Sequence, residues 1–192
     1  MGNKTADKDI EIVLRVRKGD MEAFRTLVNL YKDKSLSLAV SIVKDKAVAE
    51  DILQEVFIKV FRNIKTYKFK SKFSTWLYRI VVNTCYTELK KRRHTIPIED
   101  NKLNNYETEN TGQPQILTIE EQKRYINQAL TALKTDEALV LRLFYLCEMN
   151  LNEIESISGF GASKIRVDLH RGRKNIEKQL RRLLGNEIDS LL

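Results

Sequence analysis

The segment TYKFKSKF, residues 66–73, sets the rings of Tyr67, Phe69 and Phe73 between Lys68, Lys70 and Lys72. Rings alternating with cations can hold an unstacked base while neutralising the phosphates beside it. Just downstream, Arg79, Asn83, Tyr86 and Lys90 share one face of a helical stretch. Cations suit phosphate, an amide suits a base edge and a ring suits stacking, so this face fits single-stranded DNA. Trp76, Leu77, Ile80, Val81 and Thr84 fall on the opposite side, towards a core, and Phe73 and Trp76 are expected to close that core. A second set, Ser163, Lys164, Arg166, Val167, His170, Arg171 and Lys174, lies opposite or beside the apolar positions Ile165, Leu169, Ile176 and Leu180. Arginine there can meet guanine edges and lysine can meet phosphates in a major groove.

A third constellation has a different character. Asp51, Gln54, Glu55 and Ile58, with Arg62, oppose a wide apolar stripe, and acid and amide groups around an exposed Ile suit a protein partner. Nothing in the chain pairs a nucleophile with a base, spaces His and Cys for a metal, or forms a glycine-rich phosphate loop. No catalytic residue, metal or cofactor is therefore expected. His94 lies in a basic run, and Cys85 and Cys147, which have no motif spacing, read as small buried apolar residues.

Charge is unevenly spread. The whole chain carries a formal +8 over 192 residues. Within 62–93, Arg62, Lys65, Lys68, Lys70, Lys72, Arg79, Lys90, Lys91, Arg92 and Arg93 stand against Glu88 alone, a net of +9. Within 162–184, eight cations stand against Asp168 and Glu177, a net of +6, which leaves the rest at −7. Two dense basic clusters on an otherwise acidic chain indicate nucleic acid. No apolar run approaches the roughly 18 residues that a membrane span requires. The N-terminus MGNKTADKDIE has no apolar core of a secretory signal, so a cytoplasmic protein is expected.

The elements that position these residues are helical throughout. Few Gly and Pro and a charged fraction of 31% favour globular helix. Short amphipathic helices are expected over 9–18 and again after the N-cap Asp20, with Ala23, Phe24, Leu27, Val28 and Tyr31 on one face. A separate helix is expected over 33–44, and a long one over 46–64 carries Val48, Ile52, Val56, Phe57, Val60, Phe61 and Ile64. The stretch 75–93 should start after a Ser74 cap, with Phe73 stapled to Tyr78. Residues 95–118 contain both prolines and four carboxylates against Lys102, and read as a flexible acidic linker. Beyond it, helices over 120–133 and 136–147 precede LNEIESIS, the turn GFGA and a basic helix from 163 to 184, the pattern of a helix-turn-helix. The fold class is all-α, with two small helical domains at 1–94 and 119–192.

AEDILQEVFIKVFRNI followed by FSTWLYRIVVNTCYTELKKRR resembles the first conserved domain of bacterial sigma factors, region 2. LNEIESISGFGASKIRVDLHRGRKNIEKQL resembles their C-terminal promoter-binding helix-turn-helix, region 4. With only these two domains and a short linker, the chain is similar to the extracytoplasmic-function (group IV) sigma factors. The resemblance implies a transcription factor that binds core RNA polymerase, directs it to promoters and promotes melting. It puts Asp51, Gln54, Glu55 and Ile58 on the β′ clamp helices. It puts Tyr67, Lys68, Lys70, Lys72, Arg79, Asn83, Tyr86 and Lys90 on the melted −10 element, where one base is flipped into a pocket formed by the loop. Ser163, Lys164, Arg166, Val167, His170, Arg171 and Lys174 fall on the duplex −35 element, with the β flap as a further polymerase contact and an anti-sigma factor as a possible partner. Val167 and Asp168 stand where Ser and a cation are frequent in the family, and Gly161 where Pro is common, so the recognised −35 sequence does not carry over. Asp168 either repels phosphate or accepts a hydrogen bond from cytosine.

Two other readings share some of these residues. A stand-alone helix-turn-helix regulator would use the C-terminal domain on duplex DNA, but leaves the acidic face of 46–64 and the aromatic-cationic loop without a task. A protein-binding helical adaptor would show little salt-dependent DNA affinity.

Overall fold

The computed structural model describes residues 2–95 and 118–185, and the regular elements among them are all helical. The linker expected over 95–118 lies outside the described residues except for its two ends. Helix α1 (Gly2–Arg17) buries Ile12, Val13 and Val16 along one side. Gly19, at φ 92°, turns the chain into α2 (Met21–Val43), where the Asp20 carboxylate accepts the Ala23 N–H at 3.0 Å. This helix does not stop where a separate one over 33–44 is expected. No Gly or Pro interrupts it, and Ser35, Leu38, Ala39 and Ile42 continue the buried side begun by Ala23, Leu27 and Tyr31.

Lys44 closes α2 in the left-handed region, and Asp45 caps α3 (Lys46–Asn63) through the Val48 N–H at 3.1 Å. Val48, Ile52, Val56, Phe57 and Val60 form its buried stripe, and a 3-10 turn (Ile64–Thr66) leads into the basic loop. Helix α4 (Phe73–Thr95) begins earlier than the expected Ser74 cap. Phe73 and Tyr78, the expected staple pair, are both buried and both pack on Tyr31, at ring-centroid distances of 5.4 and 6.1 Å.

Thr118 and Glu121 form a reciprocal capping box at the start of α5 (Ile119–Thr131). The helix expected over 136–147 is split into α6 (Thr135–Leu141) and a π-helical turn (Arg142–Leu146), in which the Cys147 N–H reaches back to Arg142 O at 2.9 Å. A second capping box, Asn150 with Glu153, opens α7 (Leu151–Ser158), and Gly159 at φ 73° ends it. Helix α8 (Ala162–Leu184) comes next, so the helix-turn-helix forms as expected. It crosses α6 at Gly172, where a Cβ would meet Leu141 Cδ1 at 2.9 Å.

The two halves share one contiguous apolar core. Helix α2 packs on α5 and α6, and α4 packs on α7. Polar contacts cross the same seam. Arg142 Nε donates to Ser37 Oγ at 2.8 Å, and Lys44 Nζ donates to the carbonyls of Thr131 at 3.0 Å and Leu133 at 2.9 Å. Lys72 pairs with Glu153 at 3.0 Å. Both cysteines are buried and unpaired, as expected.

Candidate nucleic-acid interface

The basic loop is held from below. Arg17 donates from Nε to Ile64 O at 3.1 Å and from Nη2 to Tyr67 O, and its guanidinium lies 4.5 Å from the Phe69 ring centroid. Phe69 takes a left-handed φ of 56°, which reverses the chain and brings its ring to 4.8 Å from that of Tyr67. Tyr67 is not the free stacking ring that its place in the loop suggests. It is 4% exposed, donates its hydroxyl to Ser71 O at 2.5 Å and lies against Phe73 and Trp76, because its ring completes the core end. Phe73 is buried and Trp76 half-buried, as expected. Lys68, Lys70 and Lys72 remain exposed. Beside them a recess of about 230 Å³ opens between Asp9, Ile10, Tyr67, Phe69, Lys72 and Phe73. Asp9 is itself buried and accepts the Tyr31 hydroxyl.

On α4, Arg79, Asn83 and Lys90 are exposed while Leu77, Val81 and Thr84 face the core. Tyr86 departs from the expected exposed face. It is half-buried at the seam with its hydroxyl 3.4 Å from Asp136 Oδ1. Burial, with the Asp136 charge beside it, pushes the phenol up to about 12.

On α8, Ser163, Arg166, Val167, His170, Arg171 and Lys174 are all exposed, with Ile165 and Leu169 buried beneath. Lys164 is exposed too, yet it is engaged: its ammonium lies 2.8 Å from Asp136, 2.5 Å from Asp168 and 4.3 Å from the Phe160 ring centroid. Desolvation lowers its pKa, but the hydrogen bonds to Asp136 and Asp168 outweigh this and hold it above the ordinary lysine value. Asp168 is 7% exposed and turned to Lys164, so in this arrangement it faces inward rather than towards a groove.

On α3, Asp51, Gln54, Glu55 and Ile58 all face outward, Ile58 at 51% exposure. Glu55 pairs with Lys59 at 2.7 Å. Phe61, one turn on from Ile58 and 39% exposed, packs at a tilt on Phe24 with ring centroids 4.9 Å apart and extends the apolar part of this face. Among the described residues, no group of three or more His, Cys, Asp or Glu is placed to hold a metal, and no helix is long and apolar enough to cross a membrane.

Comparison with known proteins places these surfaces in a family. The family model for Sigma-70 region 2 matches residues 27–95. The chain is 31% identical over 179 residues to the ECF RNA polymerase sigma factor SigW of Bacillus subtilis, covering 89% of this chain and 96% of that one. The chain belongs to the ECF RNA polymerase sigma factors. The ECF sigma-E factor of Escherichia coli K12 is 30% identical over 184 residues, covering 92% of this chain and 96% of its own. In solved structures, CnrH in complex with the cytosolic domain of CnrY has the same fold (TM-score 0.62, 17% identity, covering 90% of this chain and 96% of that one). So does RpoE from Bartonella quintana in complex with the anti-sigma factor NepR (TM-score 0.62, 19% identity, 82% and 96%).

This sigma factor binds core RNA polymerase, directs it to specific promoters and promotes melting for initiation. The stand-alone regulator finds no support among these relatives. Two residues of the sigma factor's surfaces escape sequence reasoning. Arg17, 50 residues before the carbonyl it holds, shapes the basic loop, and Asp136 joins Tyr86 to Lys164. A pattern of faces and caps is local, and neither link leaves a local trace.

Proposed function

We propose that this sigma factor works through three exposed faces, one for the polymerase and two for the promoter, and that its two halves part when it reads DNA. The α3 face of Asp51, Gln54, Glu55 and Ile58 docks on the β′ clamp helices, with Phe61 extending the apolar contact. Arg79, Asn83 and Lys90 of α4, with Lys68, Lys70 and Lys72, hold the melted −10 strand, and the recess beside Phe69 receives a flipped base. Ser163, Arg166, Val167, His170, Arg171 and Lys174 meet the −35 duplex, joined by Lys164 once Asp136 releases it. Tyr86 becomes available in the same step. The observation that carries this reading is the shared use of residues. Lys72, Tyr86 and Lys164, assigned to DNA, are occupied within or at the seam.

The division of labour matches the domains proposed at 1–94 and 119–192, with 95–118 spanning the polymerase between them. The protein works through binding energy, with bond chemistry left to the polymerase. Unstacking costs about a few kcal/mol per step, offset by capture of a flipped base and phosphate neutralisation. It acts in the cytoplasm. Two relatives of the same fold are seen with CnrY and with the anti-sigma factor NepR, which supports an anti-sigma partner for this chain.

Run-off transcription and strand opening by bacterial core polymerase on a genomic promoter library, with and without this protein, test the reading. Promoter-specific transcripts that need both components are expected. Duplex binding by the protein alone, without strand opening by any compatible core, would overturn it.

A further inference from the structure

Arg142 begins the π-helical turn and is 3% exposed at the seam. One nitrogen, Nε, donates to Ser37 Oγ at 2.8 Å, while Nη1 is buried with no hydrogen-bond partner. Among the described residues no carboxylate pairs with this guanidinium, and its charge also falls on Lys44, which donates across the same seam to Thr131 and Leu133. Burial first, and Arg142 second, bring the Lys44 ammonium down to about 8. Buried charges are ordinarily paired, and a buried donor without a partner marks a missing one.

The same Arg142 lines a recess of about 290 Å³ that spans both halves. Ser37 and Lys46 come to its wall from the N-terminal half, and Asn127 and Arg142 from the C-terminal half. Arg142, Lys46 (whose ammonium lies 3.7 Å from Glu50 at the rim), a hydroxyl and an amide come to the recess from several sides, which suits a ligand with several acceptor oxygens. A guanidinium fork matches phosphate geometry, and a lysine adds a point charge. Asp33 also lines the recess. Its carboxylate opposes a polyanion but can accept a hydroxyl from the organic part of a phosphate ester.

We propose that this recess binds a small phosphoryl oxyanion, either free phosphate or a phosphate monoester, and that the bound anion clamps the two halves of the sigma factor together. A ligand touching both halves favours the arrangement in which they meet, by an amount set by its differential affinity. The consequence for transcription rests on the proposal that the halves part at the promoter, so binding and transcription are read separately.

Binding is measured on the full chain by thermal unfolding and calorimetry. Inorganic phosphate, glycerol phosphate and acetate are each added at constant ionic strength. Inorganic phosphate or glycerol phosphate is expected to raise Tm by several degrees at saturation, with the tighter of the two naming the source, and acetate to have little effect. Arg142→Met should abolish the rise while unfolding at or above the wild-type temperature without phosphate, since it removes an uncompensated buried charge. Lys46→Gln, at the exposed rim, should weaken binding severalfold, up to about fivefold, and it decides the matter if Arg142→Met does not fold. Absence of a rise in the wild type, or equal rises in wild type and variants, overturns the site. The tighter of the two phosphates should also lower promoter-specific run-off in the wild type and not in Lys46→Gln. Binding with unchanged transcription overturns the clamp.

Discussion

Lys72 and Glu153 lie 3.0 Å apart across the boundary between the halves, one in the basic loop and the other in the first turn of α7. The second carboxylate oxygen of Glu153 accepts the Asn150 N–H at 2.9 Å. One side chain therefore closes its own helix and holds the loop of the other half. Lys72 is half exposed, and such a screened pair is worth only about 0.2–1 kcal/mol. It orients the seam, and the apolar core shared by both halves supplies most of the adhesion.

Replacing Glu153 by Gln keeps the capping box, because Gln serves at the third helical position as Glu does. Only the pair with Lys72 is lost. The free protein should then bind a −10 non-template oligonucleotide more tightly by up to about fivefold, the upper end for one screened pair. Fluorescence anisotropy reads this directly, and an unchanged affinity with α7 intact would remove the pair from any role in closure.

Asn83→Ala and Arg166→Ala should fail at different steps. Loss of a side chain that reads a base edge costs about 1–3 kcal/mol, or roughly five- to 150-fold. For Asn83 that loss should appear in permanganate reactivity of the melted strand, with −35 duplex binding unchanged. For Arg166 it should appear in duplex binding. Equal losses of both activities in both variants would contradict the division of labour between α4 and α8.

The two thiols should report the seam. Burial pushes Cys85 up to about 12 and Cys147 up to about 11, so neither should react readily with a disulfide reagent near pH 8. Cys147 meets Tyr78 of the other half, whereas Cys85 lies within α4 against the N-terminal core. On binding core polymerase, Cys147 should label faster and Cys85 should not. The closed form keeps the Cys147 proton that the open form releases above the ordinary value near 9. Closure is thus weakened as pH rises from about 9 to 11. A Cys147→Ala variant should lose that part of the pH dependence when the separation of the halves is followed by small-angle scattering.

Gly172→Ala should destabilise the C-terminal half. The added Cβ would sit 2.9 Å from Leu141 Cδ1 and 3.5 Å from Glu137 Cβ, and both residues are buried. Overpacking of this kind costs about 1–3 kcal/mol. A lowered Tm checks it, and partial recovery in a Gly172→Ala, Leu141→Ala double variant would locate the strain.

Much of this was legible because it is local. Asp20 before an amphipathic run, the stripe from Val48 to Val60, and LNEIESIS before the turn GFGA each signal a helix within a few residues. The exposed faces of α3 and α8 arise from the same periodicity. Tyr67 misled because a ring between lysines looks solvent-facing, while its burial depends on Phe73 and Trp76 arriving from the next helix. Asp136 sits 50 residues from Tyr86 and 28 from Lys164, and nothing near it in the chain marks it as their partner. The separate helix expected over 33–44 does not form, because without Gly or Pro the polar stretch Lys32, Asp33 and Lys34 is only the outer side of a continuing helix.

The π-helical turn absorbs a length change that an α-helix cannot. Its bond from the Cys147 N–H to Arg142 O closes over one residue more than an α-helical bond, so one extra residue is taken up in the winding of Arg142–Leu146. Deleting that residue and restoring regular winding would leave the chain that follows in nearly its present phase. Deleting one from the regular helix α6 would instead rotate the residues after it by about 100° and swing Cys147 and Met149 out of the seam. A one-residue deletion within Thr135–Leu141 is thus expected to be far more damaging than one within the turn, because it alters which surfaces of two otherwise intact halves can meet.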